Sequence, residues 1–285
     1  MKELFSTTND VLIGIKQAKD CNFEKPRSFT NYSILFVYEG QGLFHADFGK
    51  FPFSSPTLLF STPLQHISIE SSQPVAFSMI QFHSDFYCIE YHKAQVACNG
   101  LLFNNIYLEP SVKLSAAEAK IFSGLMLDVE REFSDTEPDD MVLRSYLQLI
   151  LAKASSIKIK SVSEERRIDK RDEQMEQFLK LLEKNYLNLH KPSDYADLLS
   201  MSLNNFSKRC TRYFKKPPSA LIQERIVLEA KKKLHLTRQS IKEIANALNF
   251  EDEFYFSRFF KKFTKVSPQT FRDKTGISIV ADLIR

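Results

Sequence analysis

The sequence predicts a two-domain α+β protein. An N-terminal antiparallel β-barrel of jelly-roll type carries a helix pair, and an all-α C-terminal domain holds two helix-turn-helix units. Three observations predict this. Short apolar runs alternate with turn residues from Tyr32 to Phe82, and apolar residues recur at helical spacing from Ile121 to Ala154. Finally, one short pattern occurs twice: Ala196-Asp-Leu-Leu-Ser-Met-Ser202 leads into Phe206-Ser-Lys208, and Ala245-Asn-Ala-Leu-Asn-Phe-Glu251 leads into Phe256-Ser-Arg258. The expected organisation is a first domain over residues 1–160, a linker over 161–170 and a second domain over 171–285.

The first half reads as antiparallel strands at Tyr32–Glu39, Leu43–Phe48, Thr57–Thr62 and Val75–Phe82, broken by Gly40-Gln-Gly42, Gly49-Lys50 and Pro63. Alternation of Val75, Phe77 and Met79 gives the last strand one inward face, and the close turn spacing favours a small barrel over about 28–82. Its mouth could hold a small ligand, or the same aromatics could fill it as core. Helices are expected at about 84–94, capped by Ser84, and at about 115–134 and 139–157. Ile121, Phe122, Leu125, Val129 and Phe133 form one stripe, and Leu143, Leu147, Ile150, Leu151 and Ala154 another. Such stripes must be buried on the barrel or against a second copy of the chain. The segment 155–171, rich in Lys, Ser, Glu and Arg, reads as linker.

Charge divides the chain more sharply than its total of +4 suggests. Residues 1–170 hold 17 Lys+Arg against 21 Asp+Glu, whereas residues 171–274 hold 21 against 13. A basic module beside a mildly acidic one is the footprint of nucleic-acid binding joined to regulation. No run of eighteen apolar residues occurs, and the N-terminus lacks a signal-like apolar region, so a cytoplasmic protein without membrane association is expected. Four irregularly spaced cysteines argue against a disulfide framework.

Catalytic and metal chemistry find little support. His83, Cys88, His92 and Cys98 lie close together, but their spacing matches no recurrent structural-zinc pattern and aromatics surround them, which favours packing. His45, Asp47 and His66 lack the paired histidines of a cupin metal site. With seven glycines in the chain, no phosphate-cradling loop or nucleophile elbow is present. No enzyme and no cofactor are expected. The rival readings are a metal-dependent cupin-type enzyme with an accessory DNA-binding domain, and an architectural DNA binder without sequence preference.

The C-terminal third carries the chemistry. A helix over Asp172–Tyr186 buries Met175, Phe178, Leu179 and Leu182; Ser193-Asp194 opens a short helix to Leu199, and Ser202 caps a helix over Leu203–Phe214. Leu203, Phe206, Cys210 and Tyr213 or Phe214 face inward. Asn204, Asn205, Ser207, Lys208, Thr211 and Arg212 face outward, and amides, hydroxyls and cations suit base edges and phosphates. After Pro217-Pro218, a long helix over Ser219–Thr237 buries Ile222, Ile226, Ala230 and Leu234. Ser240 then caps Ile241–Leu248, Asn249 turns, and a second reading helix spans Asp252–Phe263. Most of Tyr255, Phe256, Phe259, Phe260 and Phe263 must pack inward, leaving Glu253, Phe254, Ser257, Arg258, Lys261 and Lys262 toward DNA.

The run from Ser240 to Arg272, Ser-Ile-Lys-Glu-Ile-Ala-Asn-Ala-Leu-Asn-Phe-Glu-Asp-Glu-Phe-Tyr-Phe-Ser-Arg-Phe-Phe-Lys-Lys-Phe-Thr-Lys-Val-Ser-Pro-Gln-Thr-Phe-Arg, resembles the signature of the AraC/XylS family of transcriptional regulators. The resemblance covers roughly 171–273, including Arg225 and Ala230; the first half is similar, less specifically, to the family's cupin-like effector and dimerisation domain. It implies that Asn204, Ser207, Lys208, Glu253, Phe254, Ser257 and Arg258 face bases. Arg212 and Arg225 become phosphate contacts, with Lys215, Lys261 and Lys262 adding cations near the helix ends. The implied partners are double-stranded promoter DNA, RNA polymerase, a small-molecule effector and a second copy docked through helices at about 115–157. Three departures concern turns: Asn249, Ser200 and the pair Lys215 and Lys265 stand where the family favours glycine or another small residue. Asn249 tolerates a left-handed backbone and so keeps its turn, whereas lysine there is costlier.

Overall fold

The computed structural model describes residues 2–6, 11–19, 25–47, 49–89, 101–103, 106–134, 137–168, 172–214 and 216–275. The chain forms two compact units, Met1–Val162 and Ser163–Arg285.

Unit 1 is built of two antiparallel sheets and a helix pair. Its strands are β1 (Lys2–Phe5), β2 (Val11–Ala18), β3 (Arg27–Ser28), β4 (Tyr32–Glu39), β5 (Gln41–Ala46), β6 (Gly49–Ser54), β7 (Thr57–Ser61), β8 (His66–Glu70), β9 (Ala76–Phe82) and β10 (Ser111–Lys113). One sheet runs β1-β2-β9-β4-β7-β10 and the other β3-β8-β5-β6. The antiparallel expectation holds, but the closed barrel does not: the strands divide between two open sheets, because β1 and β10 end one ladder and β3 and β6 the other. Turn spacing alone cannot distinguish a barrel from such a pair.

The space between the sheets is filled. Leu35, Val37, Leu59, Phe77 and Met79 from the larger sheet meet Phe44, Ala46, Phe53, Ile67 and Ile69 from the smaller. On its other face, the larger sheet packs Ile34, Phe36, Leu58, Phe60, Ile80 and Phe82 against helices α1 (Ala116–Glu132) and α2 (Asp140–Ile168). Central strand β4 is therefore buried on both faces from Tyr32 to Val37, which is why Ile34 to Val37 read as a continuous apolar run rather than an alternating one. Gly40, at φ 101°, turns β4 into β5; a β-carbon there would stand 2.8 Å from the Pro74 carbonyl oxygen.

The capping box of Ser115 and Glu118 starts α1, whose buried stripe is Phe122, Leu125, Met126 and Val129. Ile121 is half exposed rather than part of the stripe. Leu143, Leu147, Ile150, Leu151 and Ala154 of α2 are all buried as expected. This helix continues to Ile168, through the stretch expected to be linker. Its Lys, Arg and Glu are good helix formers, and buried Lys158 donates from Nζ to the Ser111 carbonyl at 2.8 Å. The expected helix from 84 begins instead as a turn, with the Phe86 and Tyr87 amides donating to the His83 carbonyl. Phe86, Tyr87, Cys88 and Ile89 are consecutively buried, a pattern that leaves no solvent face for a surface helix. Residues 90–94 lie outside the described residues. No described helix is long and apolar enough to cross a membrane.

Unit 2 is all helical: α3 (Glu173–Asn185), α4 (Pro192–Leu198), α5 (Leu203–Phe214), α6 (Pro218–Leu236), α7 (Ile241–Ala247), α8 (Glu253–Thr264) and α9 (Pro268–Thr275). Helices α4 and α5 form one helix-turn-helix, α7 and α8 the other, and α6 packs with both pairs.

Candidate nucleic-acid interface

Each reading helix is placed by an aromatic hub. In the first half, Phe178 of α3 meets Tyr195 of α4 at 5.4 Å, Phe206 at 4.9 Å and Phe214 at 6.1 Å, edge to face. A polar clamp fixes the rotation of α5. Arg209 donates from Nε to Asp172 Oδ2 at 2.9 Å, and its other nitrogens reach Asp172 Oδ1 and Gln174; Tyr213 donates to Glu176 at 2.6 Å. Burial of Asp172 opposes its charge, yet the Arg209 fork and the Met175 amide outweigh that and hold the carboxyl below its ordinary range. In the second half the hub is Phe250, which contacts Phe256 at 5.3 Å, Phe259 at 5.2 Å and Tyr255 at 5.8 Å.

The two bends are built alike. The Met201 amide donates to the Ala196 carbonyl at 2.9 Å, and the Phe250 amide to the Ala245 carbonyl at 3.0 Å. Each bend needs one left-handed residue just before that donor, and these are Ser200 at φ 53° and Asn249 at φ 59°. Lys265 ends α8 in the same conformation at φ 63°. Asparagine accepts that region readily, whereas lysine pays for its β-carbon. Lys265→Gly should therefore raise the stability of unit 2 by about 0.5–1 kcal/mol, the strain relieved exceeding the added chain entropy. A lower urea midpoint for that variant would contradict this account.

Capping sets where each reading helix begins. Asp252 accepts from the Phe254 and Tyr255 amides at 2.7 and 3.0 Å, and Ser202 from the Asn205 amide at 3.4 Å. From these starts α5 and α8 run in register at an offset of fifty residues. Phe206 and Cys210 match Phe256 and Phe260 as fully buried positions, Ser207 matches Ser257 as half-buried, and Lys208 matches Arg258 as exposed. Burial pushes the Cys210 thiol up to about 12, so it stays protonated as a packing group.

The predicted base-facing residues share one outer face in each helix. Asn204, Lys208, Phe254 and Arg258 are exposed, and Ser207, Glu253 and Ser257 half-buried. Lys208, Arg212, Arg258 and Lys261 form no ion pair among the described residues, and exposed Lys262 lies 5.7 Å from the Phe263 ring. Arg209, Lys216 and Arg225 are engaged instead, with Asp172, Glu224 and Glu183 respectively. Each reading face thus presents unpaired positive charge that a polyanion can meet.

Three expectations need correction. Arg225 is not an open phosphate contact: its side chain is 13% exposed, Nε donates to both oxygens of Glu183 at 3.0 and 2.9 Å, Nη1 reaches Glu229 at 3.2 Å, and the guanidinium lies 3.8 Å over Tyr186. Leu203 is half exposed, because the first residue of α5 precedes the turn that packs inward. Tyr255, expected among the packed rings, is 56% exposed, since α8 shows more aromatics than its inner face can cover. Lys215 lies outside the described residues, as do His92 and Cys98; Cys88 is buried and His83 lies 3.5 Å from Asp85. Among the described residues no group of three His, Cys, Asp or Glu side chains is arranged to hold a metal ion. Helix α9 had a readable signal that was missed, the Ser267 hydroxyl accepting from the Thr270 amide at 3.1 Å ahead of Pro268.

A helix-turn-helix domain family model matches residues 195–274, spanning both reading helices. The raffinose operon transcriptional regulatory protein RafR of Pediococcus pentosaceus is 27% identical over 126 residues, which are 44% of this chain and 42% of that protein, so the chain spans under half of that relative's length. Among solved structures, the C-terminal domain of the two-component response regulator yesN from Fusobacterium nucleatum is 25% identical, with 35% of this chain and 99% of that one covered and a TM-score of 0.34. Apo ToxT from Vibrio cholerae is 13% identical, with 93% and 98% covered and a TM-score of 0.42. Residues 195–274 of this chain are thus a helix-turn-helix domain, and both bends described above lie within it.

Proposed function

We propose that the protein binds double-stranded promoter DNA in a sequence-specific manner, placing α5 and α8 in successive major grooves about one helical turn apart. One observation carries this reading: two reading helices in register, each with an unpaired cation at the same central position, Lys208 and Arg258. Asn204, Ser207, Glu253, Phe254 and Ser257 are the further base-facing positions, and Arg212, Lys261 and Lys262 serve the backbone. Lys208→Ala and Arg258→Ala should each cost about 1–3 kcal/mol of binding and relax base choice at different positions of one selected site. Mobility shifts on that site that are unchanged in both variants would sink the assignment.

Unit 1 supplies control rather than catalysis in this reading, as a cytoplasmic regulator that answers to a small-molecule effector and acts with RNA polymerase. It also supplies self-association. After the buried stripes of α1 and α2 are spent on the large sheet, Ile121, Leu127, Met141, Leu149 and Ile159 remain exposed on those helices, apolar surface that a second copy would cover. A purely monomeric species at micromolar concentration in analytical ultracentrifugation would overturn the dimer.

A further inference from the structure

Because α5 and α8 are in register, each position in one helix has a counterpart in the other. At the two positions following the first residue of each helix the chemistry is exchanged: Asn204 and Asn205 in α5 correspond to Phe254 and Tyr255 in α8. All four are exposed, Phe254 at 71% and Tyr255 at 56%. For Phe254 such exposure is anomalous in a helix whose other aromatics pack ring on ring, as Phe256 does with Phe260, Phe259 with Phe263 and Tyr255 with Phe250.

The surroundings identify what Phe254 meets. Spacing of i, i+4 and i+7 sets Phe254, Arg258 and Lys261 in one row along α8, with exposed Lys262 beside them. An apolar ring followed along its row by unpaired cations does not suit a greasy protein partner. It suits a polyanion that carries apolar groups of its own at the depth of its groove. In the major groove that group is the C5-methyl of thymine, the one apolar feature by which base pairs differ there.

We propose that Phe254, with Tyr255 beside it, reads thymine methyl groups, so that the half-site under α8 depends on thymine. The half-site under α5, read through the amides of Asn204 and Asn205, does not depend on the methyl. The inference rests on the DNA-reading function proposed above and names the base chemistry of one of its two sites.

The test separates the two. The full chain selects a duplex from a random pool, each thymine of that duplex is replaced in turn by deoxyuridine, which removes the methyl alone, and affinities are compared for the wild type and Phe254→Ala at fixed salt. One or two replacements, in the half where Arg258→Ala relaxes base choice, should weaken wild-type binding about fourfold, the effect of one buried methyl group, and leave Phe254→Ala unaffected. Uniform insensitivity to deoxyuridine, or equal sensitivity in Phe254→Ala, would overturn the thymine assignment while leaving DNA reading intact. Failure to enrich any sequence would overturn both. Phe254 is exposed, so the variant should keep the wild-type thermal midpoint, and affinity changes then report on the contact.

Discussion

Phe178→Ala should destabilise unit 2 by about 3–5 kcal/mol, the range for removing a fully buried phenylalanine. The high figure follows from its position. Phe178 is fully buried and meets three rings drawn from α4 and α5, so its loss opens a cavity bordered by both helices of the first reading pair. Each edge-to-face contact adds about 0.5–1.5 kcal/mol beyond area burial. A small helical domain has only about 5–15 kcal/mol in total, so the variant should approach the threshold at which α5 is no longer held for binding. Urea unfolding followed by far-UV circular dichroism would measure this, and Phe178→Leu, which keeps most of the volume, should recover much of the loss. A cost below about 1 kcal/mol would contradict the role of the hub.

Arg225→Ala should cost about 2–3 kcal/mol of stability while leaving base preference unchanged. Breaking a fully buried ion pair costs about 3–5 kcal/mol because the abandoned charge stays buried. Here the figure is discounted, since the Glu183 side chain is 47% exposed and water can solvate it; Glu229, 15% exposed, is the carboxylate left in difficulty. Stacking over Tyr186 is lost as well. Arg225→Lys should rescue little, because an ammonium can neither fork to a carboxylate nor stack as a plane. The resemblance-based expectation of a phosphate contact makes the opposite forecast: unchanged stability and a salt dependence of DNA binding shallower by about one ion. Thermal melts and a salt titration on the same variant decide between them.

That contrast shows what was legible in the sequence. Helices with strong periodicity and caps, such as those opened by Ser115, Ser202, Ser240 and Asp252, could be placed nearly to the residue, because capping and periodicity are local properties. The outward rows of α5 and α8 were legible for the same reason. Whether a given cation is free was not: Lys208 and Arg225 look alike in one dimension, and Glu183, which pairs with Arg225, and Asp172, which pairs with Arg209, lie 42 and 37 residues away. Strands suffered more. Strand β6 contains Pro52, which argues against a strand unless it lies at an edge, and β6 does lie at the edge of its sheet. Strand β8 alternates buried Ile67 and Ile69 with less buried His66, Ser68 and Glu70, a signal that was present but short. Closure into a barrel depends on which edges meet, which no local pattern encodes.

Strand β4 has a mechanical consequence. Ile34 and Phe36 press on the layer shared with α1 and α2, while Leu35 and Val37 press on the layer shared with the smaller sheet. Protein interiors are close-packed and barely compressible, so added volume cannot be absorbed where it enters. The strand is thus a wall shared by two packed layers, so volume added to a side chain on one of its faces must be accommodated on the other as well.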